Sequence, residues 1–195
     1  MIEDVSGRAE PERDLTPAAR RILDTASSLF YGHGIHAVGV ERIAVEAGVT
    51  KKTLYDRFGS KEALVVAYLQ HRMARWQAFV RDRLQRSRRR PMDRPLVVLD
   101  ALEAWMVDND RGCGFVNAYA ELAGTSHAAL AQISAEKRWV RDLYIRLVRE
   151  AGLDEADRRG CALSLLHEGA IVEMTAGASR TALADARRTA RLVLA

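Results

Sequence analysis

The segment GVTKKTLYDRFGSK, Gly48 to Lys61, restricts the fold more than any other part of the chain. Thr50 is a natural helix N-cap and Gly59 a natural helix stop, so only about two turns of helix fit between them. An isolated helix needs about 12–15 residues to be even marginal in water. A helix this short therefore exists only if its neighbours hold it. Leu54 and Phe58, four residues apart, supply an apolar face for that purpose. The opposite face carries Lys51, Lys52, Tyr55 and Asp56, residue types that no core requires.

The flanking sequence offers the neighbours. Thr16 and Pro17 read as the N-cap and first residue of a helix, because proline there loses no hydrogen bond. Ile22, Ala26, Leu29 and Phe30 follow on one face, and Gly32 and Gly34 stop the element. A second short helix spans residues 40–47, with Val40, Ile43, Ala44 and Ala47 on one side and Gly48 as its terminal glycine. Ser60 caps a fourth, long helix through Leu64, Tyr68, His71, Trp76, Phe79 and Val80. Two short helices about a glycine turn, braced by a longer one in front, form a helix-turn-helix pattern. In that motif the second helix enters the DNA major groove. Lysine bonds guanine O6 and N7 or a phosphate, and Thr and Tyr hydroxyls bond phosphates. The alternative is a solvated helix face carrying two lysines by chance.

The remainder reads as helix throughout. Among 195 residues, 48 % are hydrophobic and 29 % charged, prolines number four, and the net charge is +4. With no strand-like alternation, the expected fold class is all-α, with about nine helices. Helices are expected over residues 96–108, 115–123, 128–151, 154–175 and 181–194. No window approaches the ~18 apolar residues of a membrane span. The N-terminus lacks an apolar signal region, and residues 1–14 read as a polar, disordered tail, so the expected compartment is the cytoplasm. Cys113 and Cys161 define neither a disulfide framework nor a metal spacing; Cys113, between two glycines at a helix start, reads as a small buried filler, or alternatively as a thiol with lowered pKa. Nine arginines between Arg72 and Arg94 face only Asp82 and Asp93. They read as a solvated helix end and linker, or alternatively as a second anion-binding strip.

The residues AARRILDTASSLFYGHGIHAVGVERIAVEAGVTKKTLYDRFGSKEALVVAYL, Ala18 to Leu69, resemble the DNA-binding region of TetR-type transcriptional regulators. The match takes in the first-helix pattern, the IA…AGV element, the TLY…F recognition helix and the SKEAL start of the fourth helix. RGCGFVNAYAEL, Arg111 to Leu122, is similar to a segment of one broad branch of these regulators. The resemblance places Lys51 and Lys52 at variable, groove-facing positions, and Thr53, Tyr55 and Lys61 where relatives grip phosphates. Arg57 stands at a position often held by histidine and still within reach of a phosphate. Two departures stand out. Val38 and Gly39 replace the Thr or Ser that relatives carry before helix two, and Arg42 stands where an acid is common.

The resemblance divides the chain into a helix-turn-helix domain over 15–61 and a ligand-binding and dimerisation domain over 62–195. It implies a small-molecule cavity in the second domain, with Tyr68, Trp76, Trp105, Phe115, Asn117, Tyr119, Trp139, His167 and Met174 as candidate lining residues. Each is also an ordinary core or surface residue type. Two copies about 34 Å apart on a palindromic double-stranded operator would supply the specificity that one helix lacks. Leu166, Ala170, Ile171, Leu183, Ala186, Ala190 and Val193 of the last two helices suit a four-helix homodimer interface. The expected function is a ligand-responsive repressor with no cofactor, no metal and no membrane partner. The rival readings are a helical module contacting protein or membrane through its arginines, and a helical-bundle enzyme. No catalytic motif supports the latter.

Overall fold

Helix boundaries follow the caps. A computed structural model of the chain describes residues 15–195, so the expected tail, residues 1–14, lies outside the described residues. Among the described residues there are nine α-helices, one short 3-10 turn at Pro91–Asp93 and no strand. The chain divides into two compact units between Ala74 and Arg75. That division falls inside the fourth helix, whereas the sequence expectation puts it at the start of the same helix.

The first unit holds α1 (Pro17–His33), α2 (Val40–Glu46), α3 (Lys51–Phe58) and the opening part of α4 (Lys61–Arg86). Thr16 Oγ1 accepts from the Ala19 amide at 3.3 Å, Thr50 Oγ1 from the Thr53 amide at 3.1 Å, and Ser60 Oγ from the Ala63 amide at 3.0 Å. Each hydroxyl satisfies one of the amides a helix start leaves unpaired. α2 starts without such help, since Gly39 at its N-cap offers no side chain. α1 runs through Gly32 and ends at Gly34, whose φ is 90°. Ile22, Ala26, Val38, Ile43, Leu54, Leu64, Val65 and Leu69 are almost fully buried and form the centre of this unit.

The second unit contains the rest of α4, then α5 (Arg94–Met106), α6 (Gly114–Leu122), α7 (Ala129–Glu150), α8 (Ala156–Thr175) and α9 (Ala182–Leu194). Val98, Leu99, Val140, Tyr144, Leu147, Val148, Leu163 and Ala190 lie at its centre. Arg187 on α9 donates to Asp100 on α5 at 2.9 Å, and Arg89 pairs with the same carboxylate at 2.6 Å. Arg86 pairs with Asp82 at 2.8 Å and Arg90 with Asp93 at 3.0 Å. Arg86, Arg89 and Arg90 of the arginine run are thus matched by acids of their own unit, and α4 continues helical through Arg86.

α7 and α8 cross closely at Gly160. A Cβ built there would lie 2.6 Å from both Cα and N of Ile145, backbone atoms that have no rotamer to yield. Gly160→Ala should gain up to about 1 kcal/mol of helix propensity. It should lose more by forcing the two helices apart, for a net destabilisation of about 1–2 kcal/mol. Calorimetry should show Tm lowered by about 2–8 °C. Gly32→Ala, in a helix where a Cβ meets nothing within 4 Å, should leave Tm unchanged or raised. Equal stability of the two variants would contradict the close crossing.

Candidate nucleic-acid interface and ligand site

α3 is anchored by one side chain and capped at both ends. Leu54 is fully buried, Phe58 is half-buried, and Lys51, Lys52, Tyr55, Asp56 and Arg57 are exposed. Thr53 is half-buried, and its hydroxyl lies 2.9 Å from that of Thr50, so it reinforces the cap. Lys61, half-buried, opens α4. Four of the six candidate DNA-binding residues therefore stand on the exposed surface of one two-turn helix, and Thr53 and Lys61 are partly covered. Lys52 pairs with Asp56 at 3.2 Å along α3. Lys51 reaches back to hydrogen-bond Glu41 in the first turn of α2. That bond and its charge hold the Glu41 carboxyl below its usual range and the Lys51 ammonium above its own. Arg42, at the family's acidic position, pairs with Glu46 at 2.7 Å.

The second unit brings together Trp76, Phe79, Trp105, Tyr144 and His167. Trp76 lies 5.4 Å from Trp105 and 6.0 Å from His167, measured between ring centroids. Phe79 lies 5.4 Å from Trp105. His167 Nδ1 and the Tyr144 hydroxyl share a hydrogen bond of 3.1 Å. Burial, with Lys137 adding to it, pushes His167 down to about 3, so its ring is neutral. Burial drives the Tyr144 hydroxyl well above its ordinary value.

Beside these rings lies a charged cluster. Lys137 Nζ donates to both oxygens of Glu168 at 2.8 and 2.9 Å, lies 3.1 Å from Glu136 Oε2, and reaches Cys113 Sγ at 3.3 Å. Glu136 is only 4 % exposed. Burial alone would depress the Lys137 ammonium, but the groups around it outweigh burial and raise it. At Cys113 the alternative of a low-pKa thiol is the one that fails. Its thiol is pushed up, not down, because burial disfavours the thiolate more than Lys137 favours it, and Glu136 and Glu168 add smaller pushes in the same direction as burial. No group of three or more His, Cys, Asp or Glu among the described residues is arranged to hold a metal ion.

Several candidate lining residues stand elsewhere. Tyr68 belongs to the first unit, buried with its ring 5.7 Å from Phe30. Tyr119 is 55 % exposed. The Asn117 amide donates to the Arg111 carbonyl at 2.9 Å and so ties down the turn before α6. Phe115 is buried, while Trp139 and Met174 are half-buried against the apolar core. Phe79, Tyr144, Glu136 and Lys137 join the site without having been expected there. Glu136 had a readable signal, since it falls on the apolar stripe Ile133, Val140, Leu143 and Leu147 of α7.

The candidate dimer residues fall into two overlapping sets. Ala170, Ile171, Leu183, Ala186 and Ala190 belong to the core of the unit itself, and Leu166 and Val193 pack half-buried against it, because α8 and α9 turn one apolar stripe inward. Leu166, Ala170, Ala186 and Val193 line an open groove between α8 and α9, together with Ala162, Leu165 and Gly169. Leu165, Val172 and Leu192, large apolar residues of the same two helices, are more than half exposed.

Comparison with known proteins gives a consistent picture. The family model for bacterial regulatory proteins of the tetR family matches residues 22–68. The uncharacterized HTH-type transcriptional regulator Rv1255c of Mycobacterium tuberculosis is 31 % identical over 167 residues, covering 73 % of this chain and 80 % of the relative. The HTH-type transcriptional activator FasR of Mycolicibacterium smegmatis is 30 % identical over 149 residues, covering 75 % of this chain and 66 % of the relative. The crystal structure of SCO4454, a TetR-family transcriptional regulator from Streptomyces coelicolor, matches with a TM-score of 0.80 and 30 % identity, covering 91 % of this chain and 94 % of that one. These relatives are regulators, not enzymes. With the helix-turn-helix geometry and the similarity over nine-tenths of the chain in agreement, the chain belongs to the TetR family of DNA-binding transcriptional regulators.

Proposed function

We propose that the chain is a repressor that binds a palindromic operator as a homodimer and is released by a small molecule. The observation that carries this reading is the division of labour between the units. One unit presents a short, capped helix with a basic exposed surface. The other gathers a set of rings beside a half-buried Lys137–Glu168 pair and the buried Glu136, a composition that a structural core does not need. In this reading Lys51 and Lys52 read bases, while Tyr55, Arg57, Lys61 and Thr53 grip phosphates. Trp76, Phe79, Trp105 and His167 supply an apolar, stackable wall, and Lys137 with Glu168 supplies the orienting polar contacts. Partner copies meet along the α8 and α9 groove.

The ligand acts only by binding one arrangement of the two DNA-reading heads better than another. α4 carries Lys61 at one end and Trp76 within the same continuous helix, so the covalent path for coupling is short. A hundredfold loss of operator affinity requires about 2.7 kcal/mol of differential binding. The activator FasR shows that a relative of comparable identity has the opposite sign of control. Transcription from a reporter behind the operator, with and without the chain, tests the sign assigned here.

Gly169→Arg tests the dimer without disturbing the unit's own core, because a Cβ at Gly169 meets nothing within 4 Å and the residue lines the groove. The variant should remain helical by circular dichroism, sediment as a monomer at micromolar concentration, and lose binding to an operator selected from a randomised duplex pool. A dimeric variant with full operator affinity would contradict the placement of the interface.

Trp105→Ala tests the ligand site. A small-molecule screen by tryptophan quenching, followed by operator titration, identifies compounds that release the wild type. The variant should keep operator affinity within about threefold yet need at least tenfold more of such a compound for release, about 1.4 kcal/mol of lost binding. An unchanged response would place the ligand elsewhere.

A further inference from the structure

We infer that Glu41 is a specificity-determining residue, which holds Lys51 on one base pair and keeps it from the phosphates. This rests on the reading of α3 as the groove helix and adds to it a role for α2.

The observation is an ion pair that joins the two helices of the motif. Glu41 lies in the first turn of α2, Lys51 is the first residue of α3, and their side chains hydrogen-bond across the turn. Both are largely exposed, with 68 % and 50 % of their side-chain surfaces open. An exposed ion pair contributes little to folding, so stability is a weak reason for a carboxylate here. It is also electrostatically unfavourable on a surface that approaches phosphates. Direct consequences follow for Lys51. An ammonium group has three donors on a flexible stem. One is taken by Glu41, and the stem is drawn toward the α2 side. The remaining donors can meet the O6 and N7 acceptors of a base edge. Free of Glu41, the same ammonium would reach whichever phosphate lies nearest, because phosphate attraction is independent of sequence. Lys52 is a contrast. Its partner Asp56 lies on α3 itself, so that pair moves with the helix and ties it to nothing else.

The test uses the full chain and four proteins: wild type, Glu41→Gln, Lys51→Ala and the double variant. Each is used to select binding sites from a randomised duplex pool, and each is titrated with poly(dI-dC) over a range of salt. Glu41→Gln should lose preference at one base pair in each half-site, the same pair that Lys51→Ala loses. Its affinity for poly(dI-dC) should rise about tenfold at low salt, with log K falling more steeply against log[salt] by about 0.9 per chain, the value of one more neutralised phosphate. In the Lys51→Ala background, Glu41→Gln should change neither the selected sequence nor the slope. The inference is overturned if Glu41→Gln matches the wild type in both readouts while Lys51→Ala does not. It is overturned equally if Glu41→Gln shifts the slope by the same amount with Lys51 absent, which would make Glu41 a plain repulsive charge. Should Lys51→Ala and a parallel Lys52→Ala also match the wild type, the groove reading of α3 itself fails.

Discussion

Everything this chain does with DNA depends on Leu54 being buried. α3 has eight residues, too few to be helical alone, because helix initiation costs more than two turns of hydrogen bonds return. Leu54 is fully buried in the first unit, alongside Ile22, Val38, Ile43 and Leu64. Thr50 and Gly59 satisfy the polar groups at the two ends. With the backbone fixed in this way, the rest of α3 is released from structural duty. Lysines, a tyrosine and an arginine can then occupy it at little cost to folding. A surface tuned for base reading and a fold tuned for stability thus share eight residues without conflict.

The second unit handles charge differently. Glu136 and Glu168 with Lys137 sit against an aromatic core, and a buried carboxylate is costly unless paired. Lys137 serves both acids, and the Cys113 thiol stays protonated beside it. Replacing such a group by apolar residues of similar size often leaves a protein as stable or more so. Its presence therefore fits a recognition role better than a stabilising one, in line with the ligand site proposed there. Gly160 sets the other constraint, because α7 and α8 approach too closely for any side chain. Lys137 and Glu168 belong to those two helices, so the close crossing helps fix the distance between them.

The sequence was most legible where structure is local. Thr16, Thr50, Ser60, Gly48 and Gly59 marked helix ends correctly, because capping depends on residues within one turn. The groove helix followed from the same signals. The proposed ligand site was less legible because it is tertiary. Trp76, Trp105 and His167 were identifiable as large or polar groups, but nothing local tells that Phe79 and Tyr144 join them while Tyr119 faces solvent. The expected interface stripe was hard to single out for a related reason. α8 and α9 carry more than one apolar row, and periodicity does not say which row the chain buries within itself. Ala170, Ile171, Leu183, Ala186 and Ala190 face inward, and Leu165, Val172 and Leu192 stay outside. For Cys113 a helix start alone leaves a lowered thiol pKa open as an alternative to a small filler, and the burial that decides against it comes from the fold.

The central claim, that two copies of α3 occupy successive major grooves, is tested most directly by methylation interference. Dimethyl sulfate marks guanine N7 in the major groove and adenine N3 in the minor groove. On a duplex selected by the wild type, guanine N7 methylation should block binding in two patches centred about 10 base pairs, one helical turn, apart. Interference confined to adenine N3, or a single major-groove patch, would contradict the account.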